Sequence, residues 1–149
     1  MKEPVVCDST CLIALERIAL LDLLPALLEP IWAPPAVAQE FGSMPPWLRL
    51  LAPKDRDLVA ALSMIVDDGE AEAIALACET HHRIVLDDLQ ARQLAKRMGL
   101  KVIGTVGLLL KAKQAGLIPR VEGVLMLLER TGFFLGEALR KEVLRLAGE

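Results

Sequence analysis

Asp8 closes the apolar run Val5-Val6-Cys7 and stands just before another apolar run, Cys11 to Leu15. Asp87 and Asp88 close a second such run, Ile84-Val85-Leu86. Glu40 and Glu70 sit in segments whose apolar residues recur with helical spacing. A charge where a buried strand hands over to a helix is costly unless something there uses it. Several carboxylates in one cleft repel one another and raise each other's pKa. A divalent cation resolves that conflict: Mg²⁺ and Mn²⁺ take oxygen ligands, and Mg²⁺ keeps waters and commonly binds substrate phosphate. Such a site can activate water and stabilise an in-line phosphodiester displacement.

Each acid also has a structural explanation. Asp8 can cap the helix that follows it, although Ser9 and Thr10 could do so without a charge. Asp67 and Glu70 have capping-box spacing. Steps of three and four from Glu70 reach Ile74, Ala77, Cys78 and His81, an apolar stripe, whereas Glu72 shares its stripe with Leu76 and Glu79. Glu70 is therefore expected inside and Glu72 on a more solvated face. Glu40 lies in the last turn of "PPAVAQEFG", where an acid opposes the helix dipole. Of the adjacent like charges Asp87 and Asp88, one can cap "LQARQLAKR", which leaves the other unexplained.

Other chemistries find less support. The chain's two histidines, His81-His82, end a helix-like segment, so no Ser/His/Asp triad is indicated. No Gly-rich phosphate loop is present. Cys7 and Cys11 are spaced C-x3-C, but no second pair of ligands follows with zinc spacing. A phosphoacceptor receiver needs a Lys after a late strand, and Lys101 precedes its strand instead.

The elements that must place these acids alternate between short apolar runs and helical periods, the pattern of an α/β fold with a parallel sheet. "VVC", "IWA", "RIVL" and "KVIG" read as strands, with a short edge strand at Leu48 to Leu51. Helices are expected over "CLIALERI", "LLDLLPALL", "AVAQEF", Asp57 to Ile65, "EAEAIALACETHH", "LQARQLAKRM" and "TVGLLLKAKQA", the last with Thr105 as a cap. Two amphipathic helices follow, Val121 to Arg130 and Gly136 to Leu146. No repeat or linker divides the chain, so one domain over residues 1–149 is expected.

The net charge of −3 speaks against a wholly basic nucleic-acid coat but leaves room for a local basic rim. With 54% apolar and 3% aromatic residues, the core is aliphatic. The three cysteines cannot all pair and no signal-peptide pattern is seen, which leads to the expectation of a reducing cytoplasm. "IALLDLLPALL" carries Asp22 and Pro25 and is too short for a membrane span. The Leu-rich composition and the two terminal helices lead to the expectation of a homodimer.

Taken in order, "VVCDSTCLIAL", "PPAVAQEF", "DDGEAEAIALA" and "RIVLDDLQARQLAKRMGLKVIGTVGLLLKAKQAGLIP" resemble the PIN-domain superfamily. Within it, the chain looks closest to small prokaryotic PIN-like proteins related to VapC-type toxins. The resemblance implies a three-layer α/β/α fold with a central parallel sheet. It implies an endoribonuclease dependent on Mg²⁺ or Mn²⁺, with RNA as substrate and an antitoxin protein as partner if the chain is a toxin. Carried over by position, the first aspartate matches Asp8 and the next acid Glu40. The acid of the central helix matches Glu70, where many relatives have Asp, and the acid after the next strand matches Asp88. These four are the implied catalytic residues, and Asp8, Glu70, Asp87 and Asp88 the implied metal ligands. Arg92, Lys96, Arg97, Lys111 and Lys113 are the cations available to hold RNA, or else ordinary solvated helix faces.

Overall fold

Three consecutive residues with no exposed surface, Val5, Val6 and Cys7, form the middle of the molecule. A parallel strand covered on both faces has no polar side to alternate with, so its sequence is continuously apolar. Burying a valine side chain fully contributes about 1.5–3 kcal/mol.

A computed structural model describes residues 2–149. In chain order the elements are β1 (Glu3–Cys7), α1 (Ser9–Arg17), α2 (Leu23–Leu27), β2 (Leu28–Ala33), α3 (Pro35–Phe41), β3 (Leu48–Leu50), α4 (Arg56–Leu62), α5 (Asp68–Thr80), β4 (Arg83–Val85), α6 (Leu89–Arg97), β5 (Val102–Ile103), α7 (Thr105–Gln114), α8 (Val121–Arg130) and α9 (Glu137–Leu146). The strands lie in the order β3-β2-β1-β4-β5, and every neighbouring pair is parallel. Helices flank this sheet in the three-layer α/β arrangement.

Because all strands run the same way, their carboxyl ends share one edge. The sheet brings together there Asp8 after β1, Asp87-Asp88 after β4 and Gly104 before α7. The pairing of Cys7 with Val85 sets the first two side by side. The Asp8 amide continues the ladder by donating to the Val85 carbonyl at 3.2 Å.

Several expectations need correction. The helix expected over "LLDLLPALL" is only the five residues of α2, with Pro25 inside its first turn, where a missing N–H is tolerated. The residues after it join β2, which is longer than "IWA". Thr105 does not cap α7. Gly104 occupies that position without a side chain, and the Thr105 hydroxyl is turned to Asp87 instead. The end of α3 is as expected: Gly42 has φ 78°, a left-handed conformation that glycine adopts without a Cβ penalty. Among the described residues, no helix is long and apolar enough to cross a membrane.

Candidate active site

The centre of the carboxyl edge is Asp8. It stands at the N-cap position of α1, yet its side chain makes no capping hydrogen bond. It is 3% exposed, and its Oδ1 is buried with no hydrogen-bond partner among the described residues. Burial drives its pKa up to about 7, against the pull of the Ser9 backbone amide, and the charges of Glu70, Asp67 and Glu40 push the same way as burial.

Helix α5 brings the next acids. Asp67 and Glu70 form a reciprocal capping box: the Glu70 amide donates to Asp67 Oδ1 at 2.8 Å, and the Asp67 amide donates to Glu70 Oε1 at 3.2 Å. The box fixes Glu70 in the first turn, pointing inward. Its pKa also rises to about 7, chiefly from burial, with the Asp67 amide lowering it and the Asp67 and Asp88 charges raising it. Between them, Gly69 lies so near that a Cβ there would meet Asp67 Oδ1 at 3.6 Å and Asp8 Oδ1 at 3.8 Å. The start of α5 is thus seated directly against Asp8.

Glu40 reaches the same neighbourhood from the last turn of α3. Its Oε1 accepts a hydrogen bond from the buried Ser9 hydroxyl, next in sequence to Asp8. Asp88 caps α6, with Oδ2 accepting from the Ala91 amide at 3.0 Å, and is otherwise exposed.

Asp87 is differently engaged. One oxygen accepts from the Thr105 amide at 2.8 Å and the other from the Thr105 hydroxyl at 2.6 Å, which ties the end of β4 to the start of α7. Burial raises its pKa, while the two Thr105 bonds and the Arg92 charge hold it down. Arg92 itself donates to the Leu86 carbonyl at 2.8 Å. Both adjacent acids are therefore used: one caps a helix, and the other joins two elements that lie 18 residues apart.

Glu72 is buried, not solvated as its stripe suggested. It accepts from the Ala36 amide at 3.0 Å and from the Arg56 guanidinium at 3.3 Å, joining α5 to the first turn of α3. Nothing in the local sequence signals this, because the donors come from other elements.

The carboxylates share one electrostatic neighbourhood. Among the described residues, however, no three His, Cys, Asp or Glu side chains converge into a group able to hold a metal ion. Of the basic residues, Arg92 is spent on Leu86, and Lys113 on the Ala147 carbonyl and Glu149. Lys96, Arg97 and Lys111 are exposed. Cys7 and Cys11 are buried free thiols.

The family model described as DUF3368, PIN domain, matches residues 4–149. No curated protein matches the chain. PIN domains are generally nucleases that use divalent metal ions, so the fold is of nuclease type. The match takes in every strand and helix apart from the first residue of β1, and the chain therefore belongs to the DUF3368 family of PIN domains.

Proposed function

We propose that the protein, as one PIN-like domain over residues 1–149, is a divalent-metal-dependent endoribonuclease whose site is the acidic carboxyl edge. The observation that carries this reading is the buried, unpartnered Oδ1 of Asp8, set among Glu40, Asp67 and Glu70. A carboxylate stripped of water and left without a donor is destabilising by itself. Bound cation charge answers both deficits, and an all-oxygen donor set suits Mg²⁺ or Mn²⁺. Asp8, Glu70 and Asp88 are the acids that would hold the ion; they neighbour one another without converging, so binding would have to draw them together. The ion when bound would lower the pKa of water and neutralise charge on a phosphodiester.

The rest of the work falls to the chain. Glu40, exposed and anchored by Ser9, is the carboxylate free to take a proton from an attacking water. Asp87, with both oxygens accepting from Thr105, acts as a positioning residue rather than a direct ligand, holding the Asp88 turn in place. The Asp67 side chain sets the rotation of Glu70 through the capping box. A role as the toxin of a toxin–antitoxin pair rests on the order of the motifs that resembles VapC-type proteins.

One observation favours a second reading, a non-catalytic PIN-like module that binds metal or a partner. The acids neighbour one another without three of them converging. Calorimetry with Mn²⁺ on wild type and Asp8→Asn, with RNA cleavage assayed in the same samples, separates the two. Binding and cleavage lost together in the variant support the nuclease. Binding lost with no cleavage by wild type supports the module. Absence of Mn²⁺ binding by wild type overturns the nuclease and the metal-binding module alike, and leaves only a module that acts through a partner.

A further inference from the structure

The opposite edge of the sheet has the opposite character. At the amino ends of β1, β4 and β5 lies a cavity of about 450 Å³, lined among others by His81, His82, Arg83 and Lys101, with Glu3 its only acid among the described residues. That volume falls in the range of small-molecule sites. In a chain of net charge −3, this is not the by-product of a basic surface.

Three features point to an anion. Arg83 opens β4 and Lys101 immediately precedes β5; with Ile84 paired to Val102, the two cations stand side by side at the mouth of the ladder. Adjacent like charges repel unless something between them carries the opposite sign. Glu3 answers Arg83 only in part: Arg83 Nε lies 3.5 Å from Glu3 Oε1, and it is buried without a hydrogen-bond partner among the described residues. Lys101 makes no ion pair among the described residues. Finally, His81 ends α5 with φ 56°, a left-handed conformation that costs a side-chain-bearing residue and that glycine would adopt freely. The position nonetheless carries an imidazole that lines the cavity.

The carboxyl pole of α5 also meets this edge and favours cations, which accounts for basic residues in a last helical turn, as with Lys96 and Arg97 on α6. That pole reaches Arg83, just past the α5 cap, but Lys101 comes from the separate connection between α6 and β5 and brings a second cation to the same cavity. A guanidinium and an ammonium with two imidazoles suit a tetrahedral oxyanion, because the arginine fork and the lysine point charge both bind phosphate oxygens.

We propose that this cavity binds a phosphate group, at a site separate from the acidic edge and independent of its chemistry. The ligand is a phosphate monoester, such as a mononucleotide, or a phosphodiester of a nucleic-acid strand.

The chain's only two histidines both line the cavity, so their imidazole proton resonances report on it alone. The test follows these resonances by NMR at fixed ionic strength and pH, with chelator present so that metal at the acidic edge plays no part. The probes are inorganic phosphate, a 5′-mononucleotide, and a short single-stranded RNA without terminal phosphates. Saturable shifts with phosphate or mononucleotide, weakened about tenfold or more in Lys101→Gln, are expected, since a lost charge-assisted hydrogen bond is of that size. Shifts with the RNA as well extend the site to a nucleic-acid backbone; shifts with the monoesters alone restrict it to small phosphates. Arg83→Lys, which keeps the charge but removes the fork, should also weaken binding. No saturable shift with any probe overturns the proposal, as do shifts that survive in both variants or that chloride reproduces.

Discussion

Glu72 of α5 accepts a hydrogen bond from the Ala36 amide of α3 at 3.0 Å. A buried carboxylate on one helix thereby closes the first turn of the helix that carries Glu40. Helix α3 has Pro34 at its N-cap position and no side-chain cap of its own, so the contact supplies a missing one. Arg56 of α4 adds its guanidinium to the other oxygen at 3.3 Å.

Replacing Glu72 by alanine should therefore lower stability by about 1–3 kcal/mol, the range for leaving a buried donor unsatisfied. Glu72→Gln keeps an oxygen for the Ala36 amide and should lose less. Urea denaturation of the two variants beside wild type measures this. Equal losses in both would show that the ion pair with Arg56, not the cap, is what matters.

The metal-free protein should be less stable at alkaline pH. Asp8 and Glu70 have folded pKa values raised to about 7, from 3.8 and 4.5. A raised folded pKa means that the protonated form favours the fold. That stability is fully present below the unfolded values near 4 and is lost as pH rises through about 7. Melting temperature in chelator should fall between pH 5 and pH 8. Asp8→Asn should flatten the curve and stabilise the protein at pH 8. Mn²⁺ should flatten the wild-type curve if the carboxylates hold it. A melting temperature that rises across this interval would contradict the burial of these groups.

The sheet was legible because parallel strands buried on both faces leave continuous apolar runs such as "VVC" and "RIVL". The acids at their ends were visible because a charge stands out against such runs. Glu72 was misplaced because α5 is not amphipathic in the usual way. Residues 70–77 are all buried, so no solvated stripe exists for Glu72 to occupy. Its near neighbour Glu79 is spent in a similar manner, accepting from the Lys54 and Asp55 amides at 2.7 Å. The division of labour between Asp87 and Asp88 was hidden for another reason. Thr105, the donor that explains Asp87, comes from the next βα turn, and local spacing carries no signal of it.

Gly104 is required by the same turn. A Cβ at this position would lie 2.8 Å from an Arg92 guanidinium nitrogen and 3.0 Å from Asp87 Oδ1. Both atoms are committed, the first to the Leu86 carbonyl and the second to the Thr105 amide. Gly104→Ala must displace at least one of them and should cost about 1–3 kcal/mol. Arg92→Ala removes one of the two obstacles, so the double variant should lose less than the sum of the singles. Strict additivity in urea melts would place the cost elsewhere.

Glu149 should control the start of α8. That helix has Arg120 at its N-cap position with no side-chain cap of its own. The Val121 and Glu122 amides donate instead to Glu149, at 2.8 and 3.1 Å, and Lys113 donates to the same carboxylate at 2.9 Å. These bonds pull the Glu149 pKa down to about 2, the Val121 amide most of all. A depressed folded pKa means that the charged form favours the fold. Its contribution is present above the ordinary value of 4.5 and disappears as pH falls through about 2. Hydrogen exchange at the Val121 and Glu122 amides should accelerate in Glu149→Ala, while amides in the middle of β1 keep their protection. Glu149→Gln retains an acceptor oxygen and should fall between the two. Unchanged exchange at both amides in the alanine variant would mean that solvent caps α8 equally well.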